Sequence, residues 1–201
     1  MDKILMPGLN ETVAPLGFGC ASLGSRIGAR AGQRLLAQAM DAGLSWYDLA
    51  PAYGAGQAEE IFGATLKGRP RDSVQICTKV GLLPPPQPLW KRAAMPLARP
   101  VMARLKSLRG QIRKSGITQN RAIPLSPQLL ENSLERSLKR LGTEYVDVYA
   151  LHNATLEALG DEEILRCLER LIDSGKARAI AVASDAAAAR ARRRRRPAAA
   201  E

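Results

Sequence analysis

The strongest constraint on this chain is a rhythm: from about residue 15 to residue 184, short β-like runs alternate with helical patterns. The candidate strands are 16–21, 45–49, 74–80, 146–151 and 179–183. The third and fourth are rich in apolar and β-branched residues, as strands buried on both faces must be. Between them, 31–42 sets Leu36 and Met40 one helical turn apart, and 58–67 carries Ile61, Phe62 and Leu66 ahead of Gly68 as a stop. Residues 127–141 align Leu130, Leu134, Leu138 and Leu141 on one face, with Ser126 placed as N-cap, Pro127 in the first turn and Gly142 as the stop. Residues 161–174 repeat the pattern with Ile164, Leu168, Leu171 and Ile172, opening on acidic residues that suit a helix N-terminus.

Repeated β-then-α units predict parallel strands. Two architectures then compete, an open doubly wound sheet and a (β/α)8 barrel. In the first βα turn, Gly17 to Gly24, Ser22 stands three residues after Gly19. The G-x-G-x-x-G fingerprint of the open sheet is therefore absent.

Two regions break the rhythm. Residues 82–125 form a long insertion after the third strand, opening on a proline-rich run and holding a candidate short basic helix at 100–110. Loops of this length are functional or disordered. Residues 185–201 are rich in Ala and Arg with no pattern that buries a face, and are expected to be disordered or at most a frayed helix. The net charge of +11 resides largely in these two places. Nine Lys or Arg lie between Gly81 and Leu130 with no Asp or Glu, and six Arg lie at 190 and 192–196. No aromatic residue interleaves with the arginine run to stack bases, so nucleic acid is not the expected partner.

No stretch approaches the roughly 18 apolar residues of a membrane span. The N-terminus lacks the pattern of a secretory leader. Cys20, Cys77 and Cys167 are far apart and odd in number, which argues against a disulfide frame or a zinc site and for a cytoplasmic location.

Reactive groups of a parallel α/β fold belong at the carboxyl ends of its strands. Asp48 ends the second candidate strand, Tyr53 follows in the next loop, Lys79 sits near the end of the third strand, and His152 follows the fourth. His152 is the only histidine. A lysine inside an apolar strand needs a partner, and Asp48 is the natural one. Together these groups describe a proton-transfer device: an ammonium beside a tyrosine favours the phenolate and is expected to lower its pKa, while a histidine can hydrogen-bond a carbonyl oxygen. Taken singly, each has a plainer reading as a turn, edge or packing residue, and Cys20 is expected to be packing. Trp90, in the insertion, is a candidate substrate contact or an anchor.

These residues lie in stretches that resemble the aldo-keto reductase family. Asp48-Leu-Ala-Pro-Ala-Tyr53-Gly54, with Glu59 or Glu60 and then Gly63, is similar to its D-T-A-x-x-Y-G-x-x-E-x-x-x-G, with Leu49 for Thr. Thr78-Lys79-Val80-Gly81 is similar to T-K-x-G. The block from Ser126-Pro127 through Ser137-Leu138-Lys139-Arg140-Leu141 and Tyr145-Val146-Asp147-Val148-Tyr149 to His152 resembles S-x-x-x-S-L-x-R-L-x-x-D-Y-I-D-L-Y-x-x-H. Gly175-Lys176-Ala177-Arg178-Ala179-Ile180 resembles G-K-x-R-x-I. The blocks keep the family order over about 14–184.

The resemblance implies a (β/α)8 TIM-type barrel that reduces aldehydes and ketones with NADPH, less often NADH. It makes Tyr53 the general acid, Lys79 and Asp48 its partners, and His152 the carbonyl-orienting residue. It assigns the cofactor to Gly19, Cys20, Ala21, Asp48 and Ser184. At the family's G-V-S-N stretch this chain has Ala181-Val182-Ala183-Ser184, which leaves Ser184 as the polar contact. About five βα units are legible, so residues 1–184 are expected to form an incomplete barrel whose cofactor grip is impaired. Two alternatives stand beside the reductase: an inactive fragment of a truncated or frameshifted gene, and a basic interaction protein.

Overall fold

The computed structural model describes residues 3–6, 8–84 and 120–183. The candidate helix at 100–110, Trp90, Ser184 and the tail 185–201 lie outside the described residues. A small antiparallel hairpin comes first, β1 (Ile4–Met6) with β2 (Glu11–Val13). The repeating units follow: β3 (Gly17–Gly19), α1 (Ala29–Asp41), β4 (Trp46–Asp48), α2 (Gln57–Leu66) and β5 (Gln75–Val80). After β6 (Leu82–Leu83) and β7 (Arg121–Ala122) come α3 (Pro127–Leu141), β8 (Val146–His152), α4 (Leu156–Gly160), α5 (Glu162–Asp173) and β9 (Ala177–Ala183).

The main sheet runs β3-β4-β5-β8-β9, every neighbouring pair parallel. Strand order follows chain order without reversal. A doubly wound sheet must reverse direction at its switch point, so this order selects the barrel. Among the described residues β3 and β9 each pair on one side only, and the sheet is a partial barrel, not closed.

Alternation along the strands sorts side chains into two layers. Ile76, Val80, Tyr149 and Leu151 join Leu130, Leu134, Leu141 and Phe62 in the large core between sheet and helices. Cys77, Val148 and Ala150 face the other way, toward the barrel interior, packed with Trp46 and with Leu9 from the hairpin turn. Each fully buried Leu or Ile contributes about 1.5–3 kcal/mol.

The helix signals act as the sequence predicts. Ser126 Oγ accepts from Leu129 N at 3.2 Å, and Gly142 closes α3 in the left-handed region at φ 66°. Asp161 caps α5, accepting from Glu163 N at 2.8 Å and Ile164 N at 3.2 Å. Gly63 lets α2 lie directly on the end of α3: a Cβ there would meet the carbonyl oxygens of Arg140 and Leu141 at 2.6 Å.

The insertion departs from the expected bare loop at both ends. Leu82 and Leu83 pair with Ala122 and Arg121, and Ile123 N donates to Gly81 O at 3.0 Å. The chain therefore leaves and re-enters at one point on the barrel rim.

Candidate active site

Three of the four residues singled out from sequence meet at the carboxyl ends of neighbouring strands. Asp48 is the last residue of β4, level with Gly19 of β3 and Cys77 of β5. Lys79 lies two residues further along β5, on the same inward-facing side as Cys77. Its ammonium donates to Asp48 Oδ1, to Leu49 O at 2.8 Å and to the Tyr53 hydroxyl at 3.3 Å. All three N–H groups are thus used, which is what a lysine side chain only 7% exposed requires.

Tyr53 is held by the turn that leads into α2. Gly54, Ala55 and Gly56 follow it with φ of 58°, 54° and 88°, a run of left-handed backbone that reverses the chain within four residues. Ala55 in that region costs about 1–2 kcal/mol. Gly54 has no room for a side chain, since a Cβ would stand 2.6 Å from Leu23 O. The Tyr53 hydroxyl accepts from Lys79 and donates to Asp48 Oδ2 at 3.4 Å. That contact is long for an O–H···O bond.

His152 ends β8, and the Gly81 that follows β5 packs so closely on it that a Cβ would meet His152 O at 2.6 Å. It is half-buried and lines a depression of about 470 Å³ with Ile123, Leu125, Asn153, Thr155 and Glu157. Burial, then the charge of Lys79, hold its imidazole below the ordinary value, with Asp48 opposing. It is neutral at pH 7, able to donate one hydrogen bond and accept another.

The expected lowering of the Tyr53 pKa is not what the structure gives. Lys79 acts in the expected direction, but burial outweighs it and Asp48 adds to the burial, so the phenol stands above its ordinary 10. The sequence shows which charges are near; it does not show how much water is displaced. A raised value keeps the proton on Tyr53 at neutral pH, the form an acid must have before it reacts. For Lys79, burial favours the neutral amine, yet the Asp48 hydrogen bond and charge carry the pKa above 10.5.

The turn Gly19, Cys20, Ala21 adjoins this cluster, with Cys20 N donating to Asp48 O at 2.9 Å. The Cys20 side chain is fully buried in the helix-side core, and burial pushes its thiol up to about 12. It is packing, as expected, and only its backbone can meet a ligand. Cys77, facing the interior, is likewise pushed up to about 12 by burial. Among the described residues no group of His, Cys, Asp and Glu could hold a metal ion.

No side chain here can release a hydride, so a carbonyl reduction at this cluster needs an external hydride donor. The strand ends fit one, because Gly19 has open space where a Cβ would stand, beside Asp48. Of the residues assigned to the cofactor, Gly19, Cys20, Ala21 and Asp48 are side by side.

Two features escaped the sequence reading. Leu49 contributes its carbonyl to Lys79, a backbone role that no side-chain pattern records. Glu59 is fully buried between Thr78 and Arg140, where the motif left Glu59 and Glu60 as alternatives. Its position three and seven residues before the buried Phe62 and Leu66, on the same face of α2, was the available signal.

A family model described as the aldo/keto reductase family matches residues 15–195. The chain is 29% identical over 179 residues to an aldo-keto reductase [NADP(+)] of Schizosaccharomyces pombe, covering 87% of this chain and 43% of that protein. It is 34% identical over 148 residues to the aldo-keto reductase YhdN of Bacillus subtilis, covering 73% of this chain and 34% of that one. Among solved structures, the holo aldo-keto reductase of Bacillus halodurans superposes with a TM-score of 0.68 at 26% identity, over 92% of this chain and 50% of that chain. An aldo-keto reductase of Klebsiella pneumoniae in complex with NADPH gives 0.64 at 25%, over 96% and 54%. This chain thus spans about half the length of these relatives or less. With the family model covering most of its residues, the chain belongs to the aldo/keto reductase family.

Proposed function

We propose that this chain reduces an aldehyde or ketone to the alcohol, or runs the reverse oxidation, with NADPH as the preferred hydride source and NADH as a second. The observation that carries the reading is the Lys79 ammonium, which joins Asp48, Leu49 O and the Tyr53 hydroxyl at the strand ends. When bound, the reduced nicotinamide supplies a hydride to the carbonyl carbon, and Gly19, the Cys20 backbone, Ala21 and Asp48 are the described residues that would hold it. Ser184 is the further contact that the family resemblance implies.

His152, neutral, donates a hydrogen bond to the carbonyl oxygen and orients it. As negative charge develops on that oxygen, Tyr53 gives up its proton, and the C–O⁻ becomes C–OH. The phenolate left behind lies beside the Lys79 ammonium, which is the group placed to stabilise it. Asp48 holds that ammonium in place, and solvent returns the proton to Tyr53. In the reverse direction the same phenolate accepts the alcohol proton.

No helix among the described residues is long and apolar enough to cross a membrane. The test is NADPH binding, read by fluorescence quenching of the purified chain, followed by carbonyl-dependent loss of NADPH absorbance. Binding at micromolar NADPH with turnover supports the reading. A dissociation constant above millimolar leaves the inactive chain in its place.

A further inference from the structure

The proposed chemistry needs Tyr53 and Lys79 side by side, yet they come from different elements. Tyr53 precedes α2, and Lys79 belongs to β5. One buried carboxylate spans the gap. Glu59, in the first turn of α2, is fully buried; its Oε1 accepts from Thr78 Oγ1 at 2.6 Å and its Oε2 from Arg140 Nε at 2.6 Å. Thr78 is the strand neighbour of Lys79, so its side chain points to the opposite face of the sheet. The Thr78–Glu59 bond therefore pins β5 to α2 from behind, one residue from the ammonium.

The second oxygen holds Arg140 against the turn. Arg140 reaches from α3 and runs under Gly56, where a Cβ would stand 3.1 Å from its Cδ and 3.2 Å from its Nε. Gly56 ends the left-handed run that begins after Tyr53. Arg140 also contacts Ser137 Oγ at 3.4 Å, within its own helix. One carboxylate thus ties the lysine strand, the tyrosine turn and α3 into a single frame. A hydrophobic side chain of similar size would fill this space without the desolvation cost of a buried ion pair, so packing alone does not account for a carboxylate here.

We propose that Glu59, acting through Thr78 and Arg140, is a positioning residue that sets the separation of the Tyr53 hydroxyl and the Lys79 ammonium. What that separation is for rests on the carbonyl-reductase reading above.

The first readout needs no turnover. His152 is the only histidine, so its imidazole gives one unambiguous NMR titration. Burial lowers its pKa most, Lys79 lowers it further, and Asp48 raises it. Thr78→Val removes the hydroxyl that Glu59 holds while keeping side-chain volume, and Glu59 keeps Arg140. A Lys79 ammonium that drifts from Asp48 relaxes the depression of His152 and bares the carboxylate, and both effects raise the His152 pKa. Thr78→Ser, which restores the hydroxyl, brings the titration back toward the parent. Glu59→Gln is the second variant and moves His152 in the same direction.

In the reductase assay, Thr78→Val lowers kcat by about tenfold to a hundredfold with KM for the carbonyl unchanged, the pattern of a misplaced reacting group. A Thr78→Val or Glu59→Gln protein that is folded by circular dichroism, with a His152 titration superimposable on the parent, overturns the proposal. If His152 shifts but Tyr53→Phe reduces carbonyls as fast as the parent, the positioning role stands and the reductase mechanism fails.

Discussion

Replacing Asp147 with alanine removes the carboxylate that joins four elements at the end of the barrel away from the candidate site. Its side chain is 2% exposed. Oδ2 accepts from Arg71 Nη2 at 2.7 Å and from Ile76 N at 2.8 Å, and Oδ1 accepts from Arg178 Nη1 at 3.2 Å. Breaking a buried pair by removing one partner costs about 3–5 kcal/mol, and an orphaned buried N–H about 1–3 kcal/mol. The two overlap and do not add. Arg71, 17% exposed, keeps Thr143 Oγ1, Val74 O, Tyr145 O and the Tyr145 ring, which limits its loss. Arg178 is 41% exposed, keeps Glu11, and its part is screened to below about 1 kcal/mol.

The expectation for Asp147→Ala is therefore about 3–4 kcal/mol, a large part of a typical domain's stability of about 5–15 kcal/mol. Urea denaturation followed by circular dichroism measures it, as a lower midpoint with an unchanged m-value. Arg178→Ala, in the same experiment, should lose less than about 1 kcal/mol. A loss below about 1 kcal/mol for Asp147→Ala, or equal losses for the two variants, would refute the reasoning.

Two further outcomes follow from the structure. Gly63→Ala should destabilise by about 1–3 kcal/mol, because its Cβ would meet two α3 carbonyl oxygens at 2.6 Å and force the helices apart; a thermal scan showing an unchanged midpoint contradicts this. His152 has a folded-state pKa below the ordinary 6.5, so between the two values the unfolded chain binds more protons and folding stability drops. Its contribution is complete above about pH 6.5 and is lost as pH falls toward the folded value. The stability–pH slope just below pH 6.5 should be shallower in His152→Gln, and an identical slope removes the linkage.

Where local rules decide a segment, the sequence was enough. The Ser126 cap, the leucine stripe and Gly142 bound α3 at 127–141, as the structure has it, because each acts within one or two helical turns. The buried strands β5 and β8 were likewise readable, as were Asp48 and Lys79 as an ion pair, since a lysine in an apolar strand needs a nearby carboxylate. The β1–β2 hairpin escaped: three-residue strands with exposed Ile4 and Leu5 carry no usable period. So did β6 and β7, two residues each, whose pairing closes a long insertion. Arg71 was invisible as a hub because Thr143, Tyr145 and Asp147 lie 72 to 76 residues away. Burial decided the remaining case, since Tyr53 titrates high for want of water, a quantity that the order of residues does not carry.

The central claim is that Tyr53 delivers the proton in a carbonyl reduction. Tyr53→Phe keeps the ring and its packing and removes only the hydroxyl that Lys79 and Asp48 hold. Steady-state NADPH oxidation with an aldehyde should show kcat reduced by about a hundredfold to ten-thousandfold, the usual worth of a positioned acid, with NADPH binding unchanged. A Tyr53→Phe protein that reduces the aldehyde at the parent rate would contradict the account.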